Sequence, residues 1–192
     1  FLINTFWMRI VLTGPESTGK TSLALILSNH YKCTLIPEQA RFFLQKSLGI
    51  YSYNDLNIMA QSQLHCAKSC GSLNVLQLED TDLLTYIIWS RLKFDRVDPL
   101  LYKALYEFKP DAYLFCMDDL PWTFDPLRED EHTRALISKE YLSELNLLKV
   151  PFYVITGIGQ QRISNAKFYI NRYLNSFIFD PLKGCRIVNF TG

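Results

Sequence analysis

Residues 8–21 read Met-Arg-Ile-Val-Leu-Thr-Gly-Pro-Glu-Ser-Thr-Gly-Lys-Thr, and Ser22-Leu23-Ala24-Leu25-Ile26-Leu27 follows directly. An apolar run feeds a complete G-x-x-x-x-G-K-[ST] loop and a helical pattern leaves it, which is the strand–loop–helix setting this motif requires. Gly14 and Gly19 let the backbone curl so that the N–H groups of Glu16, Ser17, Thr18 and Ser22 can face inward. The helix start adds its positive dipole end, and together they form a cradle for phosphate. Lys20 is placed to reach the outer phosphates, and the Thr21 hydroxyl is a hard oxygen donor suited to Mg²⁺. A plain connecting turn would need neither the lysine nor the hydroxyl, so the loop implies binding of a nucleoside triphosphate.

Around this loop the 192 residues suit one domain with a sizeable core. Lys and Arg total 20 against 19 Asp and Glu, so the chain has no global electrostatic footprint for nucleic acid or a membrane surface. Small-molecule partners are expected. Cys33, Cys66, Cys70, Cys116 and Cys185 lie in apolar segments without C-x-x-C pairs, which fits thiols in a reducing compartment and a cytoplasmic location. His65, Cys66 and Cys70 lack a matching second half for a metal site and are read as a helix face. No apolar run approaches the roughly 20 residues that cross a bilayer. Residues 1–7 lack the basic and small-residue features of a signal peptide and are read as an extension ahead of Met8.

Beyond the loop, short apolar runs alternate with helical stretches. Strands are expected at 33–36, 73–78, 112–116 and 152–156, and helices at 41–44, 55–70, 83–92, 99–108, 134–148 and 160–177. In the second of these helices Leu56, Met59, Ala60 and Gln63 share one face. The alternation implies an α/β fold with a parallel five-stranded sheet covered on both faces by helices, a single domain over 8–179 and a tail over 180–192. Ligands of such sheets sit at the carboxyl ends of the strands.

Three strand ends are informative. After the second strand, Glu38 could take a hydrogen bond or proton from an attacking hydroxyl, and Arg41, one turn on, could bind substrate oxygens. The alternative is an acid at a helix start and a solvated arginine. After the third, Asp80 matches the acid that holds Mg²⁺ beside a phosphate loop. Asp82 could serve the reaction and also N-cap the next helix, since the two roles are compatible. After the fourth, the charged, proline-bearing stretch 119–134 reads as a mobile lid, with Arg128 and Arg134 as cations for a transferring phosphoryl group.

Residues 14–21, Glu38-x-x-Arg41, Asp80-Thr81-Asp82, Pro121-Trp122 with Asp125-x-Leu127-Arg128, and Gly157-x-Gly159-x-x-Arg162 together resemble the ribosylnicotinamide kinase domain of the NadR family, over most of residues 8–175. The resemblance implies a P-loop kinase fold and transfer of the γ-phosphoryl of ATP to the 5′-hydroxyl of nicotinamide riboside, with ATP and Mg²⁺ as cofactors. It assigns Lys20 and Thr21 to ATP and metal, and Glu38, Arg41 and Trp122 to the nucleoside. Asp80 and Asp82 go to the metal and the reacting hydroxyl, Arg128 to the lid, and Arg162 to the adenine border. The chain departs from the family in having Gln39 where an aromatic residue is usual and Leu76-Gln77-Leu78-Glu79 where the approach to the acids is usually more apolar.

A kinase of another nucleoside or nucleotide would share every phosphate-handling residue. A GTPase is disfavoured, because Cys116-Met117-Asp118-Asp119 stands where a guanine signature would follow the fourth strand. An ATP-binding regulatory module need not have kept Lys20, Thr21 and Asp80 together.

Overall fold

The computed structural model describes residues 8–70, 76–123, 133–175, 177–179 and 186–188, the last two segments by backbone alone. Strand β1 (Met8–Thr13) leads through the loop into α1 (Lys20–Tyr31), β2 (Thr34–Ile36), α2 (Gln39–Lys46) and α3 (Tyr53–Cys70). Next come β3 (Leu76–Asp80), α4 (Leu83–Phe94), α5 (Pro99–Glu107), β4 (Ala112–Cys116), α6 (Arg134–Leu148), β5 (Phe152–Ile155) and α7 (Gln160–Asn175). The five strands form one sheet in the order β2-β3-β1-β4-β5, with every pair parallel. After β1 the chain moves first to one side of it and later to the other. The end of β1, where the phosphate loop begins, is therefore the topological switch point at which such sheets bind ligands.

Side-chain alternation along the strands builds two cores. Met8, Ile10 and Leu12 of β1 join Leu78 and Leu114 against Leu23, Leu27, Ala166 and Ile170 of α1 and α7. On the opposite face Val11, Tyr113 and Phe115 pack against Met59, Tyr86, Ile87, Leu105 and Tyr141 of α3 to α6.

The polar approach to the acids has a partner in the neighbouring strand. Arg9 lies in register with Gln77 on β3 and, 4% exposed, forms an ion pair with the fully buried Glu79. Its Nη2 donates to Glu79 Oε2 at 2.9 Å and its Nη1 to the Phe108 carbonyl at 2.6 Å, while Gln77 Nε2 donates to Glu79 Oε1 at 2.7 Å. A charge buried without such partners would be strongly destabilising.

Most boundaries agree with the sequence to within a few residues, but the closing helix ends at Asn175 rather than at 177. Phe177–Phe179 forms β6, which pairs antiparallel with β7 (Arg186–Val188) in a separate two-stranded ribbon. The runs Phe-Ile-Phe and Arg-Ile-Val are aromatic and β-branched, which favours strand over helix. Within the third expected strand, residues 73–75 fall outside the described residues, and the strand runs on through Asp80.

Candidate functional site

Three residues of the loop take left-handed backbone angles: Gly14 (φ 131°), Ser17 (φ 55°) and Gly19 (φ 73°). At Gly14 a β-carbon would lie 2.5 Å from the Cys116 carbonyl oxygen, so the turn out of β1 passes directly against the end of β4. Gly19 is the N-cap of α1 and brings no side chain to the first helical amides, which suits them to an anion. Thr18 Oγ1 braces the loop by donating to the Pro15 carbonyl at 2.9 Å. The Lys20 ammonium folds back over it, donating to the carbonyls of Gly14 at 2.8 Å and Pro15 at 2.6 Å. Thr21 and Ser22 stand in the first turn of α1, partly and well exposed.

Arg162 lies beneath this loop. Only 4% exposed, it donates to the Thr18 carbonyl and the Met117 carbonyl at 2.9 Å each, to the Gly157 carbonyl at 3.0 Å and to Asp119 Oδ1 at 2.6 Å. Asp119 also accepts from the Gly157 amide at 2.6 Å. The two Nη atoms of Arg162 are thus taken up by protein oxygens that tie the phosphate loop to the turns after β4 and β5. The Gly157 to Arg162 turn, expected from sequence beside the adenine, is thereby braced against the phosphate loop.

The Gly14 to Lys20 side of the loop opens into a cleft. Glu16 and Glu38 line it, and its far wall is Trp89, Ile88 and Leu92 of α4 with Ile137 and Tyr141 of α6. Thr81 and Thr85 complete it, and the Tyr141 hydroxyl donates to Thr85 Oγ1 at 3.0 Å. Burial raises the Tyr141 hydroxyl pKa, and the negative charges of Glu38, Asp82 and Glu16 raise it further. Trp89, Thr85, Ile137 and Tyr141 were not singled out from sequence, because at helical spacing they read as ordinary core positions. Arg41 stands one turn into α2, half-buried and outside the cleft lining.

Asp80 ends β3 in register with Leu12 and is 2% exposed. The fully buried hydroxyls of Thr13 and Thr81, at the ends of β1 and β3, have no hydrogen-bond partner. The Asp80 carboxylate and Thr21 hydroxyl are hard oxygen donors, so the chemistry of the set fits Mg²⁺.

The two remaining assignments fall elsewhere. Asp82 does not line the cleft. It caps α4, accepting from the Leu84 amide at 3.1 Å, and it accepts from the Tyr113 hydroxyl at 2.6 Å. Both contacts hold the Asp82 side chain against the sheet face and the start of α4, so its capping role is expressed in the structure. Trp122 also lies off the cleft, under the Arg134 guanidinium at 5.6 Å from its ring centre. Arg134 donates to the Leu120 carbonyl at 3.1 Å and the Ser17 carbonyl at 3.4 Å, so the start of α6 rests on the phosphate loop. Arg128 and the rest of 124–132 lie outside the described residues.

The fold and loop define a P-loop nucleotide-binding domain with the architecture of nucleoside and nucleotide kinases. The profile of the AAA domain family (AAA_28) matches residues 9–162, and the chain belongs to that family. No curated protein sequence matches it. Among solved structures, NadR in complex with NR is similar at 20% identity with a TM-score of 0.77, over 88% of this chain and 50% of that one. Thymidylate kinase from Ehrlichia chaffeensis is similar at 15% identity and a TM-score of 0.65, over 88% of this chain and 99% of that one. Deoxyadenosine kinase from M. mycoides with bound dATP is similar at 15% identity and a TM-score of 0.57, over 85% and 99%. The chain spans about half the length of the NadR structure it matches. These likenesses establish the fold, which is the P-loop kinase fold expected from sequence. Among the described residues, no helix is long and apolar enough to cross a membrane.

Proposed function

We propose that the chain is an ATP-dependent nucleoside kinase whose acceptor is nicotinamide riboside. The observation that carries this reading is the continuity of the phosphate loop with a cleft that has an aromatic wall and two carboxylates. Nicotinamide riboside differs from the common nucleosides in carrying a positively charged pyridinium ring. A cation beside the faces of Trp89 and Tyr141 is attracted by about 0.5–2 kcal/mol per contact, and Glu16 and Glu38 add negative potential from the same lining. A neutral base gains the apolar contact without the electrostatic part.

In this reading Lys20 and the loop amides hold the triphosphate, and the Glu38 carboxylate accepts the hydrogen of the 5′-hydroxyl as its oxygen attacks the γ-phosphorus. The proton moves to Glu38 and ADP leaves. Thr21 and Asp80 would hold Mg²⁺, which when bound neutralises charge on the phosphate oxygens. Arg128 is assigned to the lid on sequence grounds, and Arg41 to the ribose end. The protein's contribution is placement and charge stabilisation.

ADP release measured with ATP, Mg²⁺ and a panel of acceptors tests the reading. Turnover of nicotinamide riboside well above uridine, cytidine and thymidine is expected. Equal or better turnover of nucleoside monophosphates would replace it with a nucleotide kinase, the activity named for the thymidylate kinase of similar fold.

A further inference from the structure

Glu38 is the N-cap of α2, yet its carboxylate makes no capping hydrogen bond. At most helix starts a short polar N-cap such as Asp or Ser accepts from the first helical amides, which have no partner inside the helix. Here two buried side chains from other helices do that. Gln63 of α3, 1% exposed, accepts the Gln39 amide on Oε1 at 2.9 Å. Tyr86 of α4, fully buried, accepts the Ala40 amide on its hydroxyl at 3.2 Å. Tyr86 in turn donates to Gln63 Oε1 at 3.4 Å, so the two acceptors brace each other.

The other end of Gln63 reaches the second acid-bearing strand end. Its Nε2 donates to the Thr81 carbonyl at 3.0 Å, directly after Asp80. Thr81 has φ 83°, a left-handed angle that a β-branched residue rarely adopts, so the backbone there is held rather than relaxed. One side-chain amide therefore ties the segment after β2 to the segment after β3.

The geometry points to Gln63 and Tyr86 as positioning residues. By capping α2 in place of Glu38, they leave its carboxylate off the helix amides and on the lining of the cleft, and they fix its place relative to Asp80. This rests on the proposed role of Glu38 in phosphoryl transfer. Gln63 suits the task because its amide offers an acceptor to Gln39 and a donor to Thr81 at once; leucine offers neither, and glutamate lacks the donor. A displacement of the order of 1 Å at a reacting group lowers rates by about a hundredfold.

A double-mutant cycle joined to amide exchange tests this. Gln63→Leu, Glu38→Gln and the pair are compared by kcat and by KM for ATP, at a temperature where each variant is folded. The expected result is a kcat about a hundredfold lower for Gln63→Leu, an unchanged KM for ATP, and little further loss in the pair, because the first change acts through Glu38. Tyr86→Phe keeps the core volume and removes one acceptor. It should lower kcat in the same direction by a smaller factor, which keeps the test alive should Gln63→Leu fail to fold. Hydrogen exchange at the Gln39 and Ala40 amides, slow in the unaltered chain, should quicken in both variants. Multiplicative losses in the pair, unchanged kcat in Tyr86→Phe and Gln63→Leu, or fast exchange at both amides in the unaltered chain would overturn the positioning role. If Glu38→Gln alone keeps full kcat, it is the role of Glu38 that fails, while slow exchange still reports the caps.

Discussion

Tyr113 donates its hydroxyl hydrogen to the Asp82 carboxylate across 2.6 Å, on the face of the sheet that carries the Arg9 and Glu79 ion pair. The surroundings together push the Asp82 carboxyl up from the ordinary 3.8 to about 6, with burial the largest cause. Arg9 and the Tyr113 hydrogen bond oppose that rise, and Glu79 adds to it. The folded chain therefore holds a proton between about pH 4 and 6 that the unfolded chain has released. Stability from this group is fully present below the unfolded value and is lost as pH rises through the folded one. Asp82→Asn, which keeps a good N-cap, should gain on the unaltered chain by on the order of 3 kcal/mol between pH 4 and 7. Denaturant unfolding of both proteins across that range checks it, and parallel curves would contradict it.

Lys20→Ala should leave the fold intact, since the ammonium is partly exposed and its protein contacts are two loop carbonyls. It should lower kcat for ADP release by about a hundredfold or more, because a cation on the transferring group is lost. Thermal unfolding alongside the kinetics separates this from a folding defect; an unchanged kcat would remove the lysine from the reaction.

Gly14→Ala should damage the loop at its root. The new β-carbon meets the Cys116 carbonyl oxygen at 2.5 Å, in a backbone conformation, φ 131°, that disfavours any side chain. A stability loss of about 2 kcal/mol or more is expected, together with weakened binding of a non-hydrolysable ATP analogue by calorimetry. Normal stability and affinity would mean that β1 and β4 can part at this point without consequence.

Arg162→Met tests the brace beneath the loop. It keeps much of the packing but strands the carbonyls of Thr18, Met117 and Gly157 and removes the partner of Asp119. The expected cost is about 2–4 kcal/mol, seen as a lower melting temperature, with a raised KM for ATP. A rise in KM without any loss of stability would instead put Arg162 in contact with the nucleotide.

The phosphate loop and sheet were legible from sequence because each strand is a short apolar run and the loop's geometry is written in its glycines, lysine and threonine. β4 and α6 were read to their exact ends, Ala112–Cys116 and Arg134–Leu148. The cleft was less legible, because its wall is assembled from helices far apart in sequence. Trp89 and Tyr141 have the spacing of core residues and acquire their role only where α4 and α6 meet in front of Glu38. Gln63 did leave a signal: an amide among Leu56, Met59 and Ala60 on a buried face must find partners. The cap at Asp82 was legible because Thr81 and Asp82 precede an apolar run, and capping is compatible with a part in the chemistry. The expected closing helix ran on to Phe177, and the strand pairing of 177–179 depends on 186–188, beyond the reach of local pattern.

The central claim, phosphoryl transfer from ATP to nicotinamide riboside at the cleft beside Lys20 and Glu38, is tested most directly by phosphorus NMR of the chain with ATP, Mg²⁺ and nicotinamide riboside. The account expects a new phosphomonoester signal that grows in step with ADP and is lost in Lys20→Ala. ADP formed with inorganic phosphate alone, or no ADP at all, would contradict it.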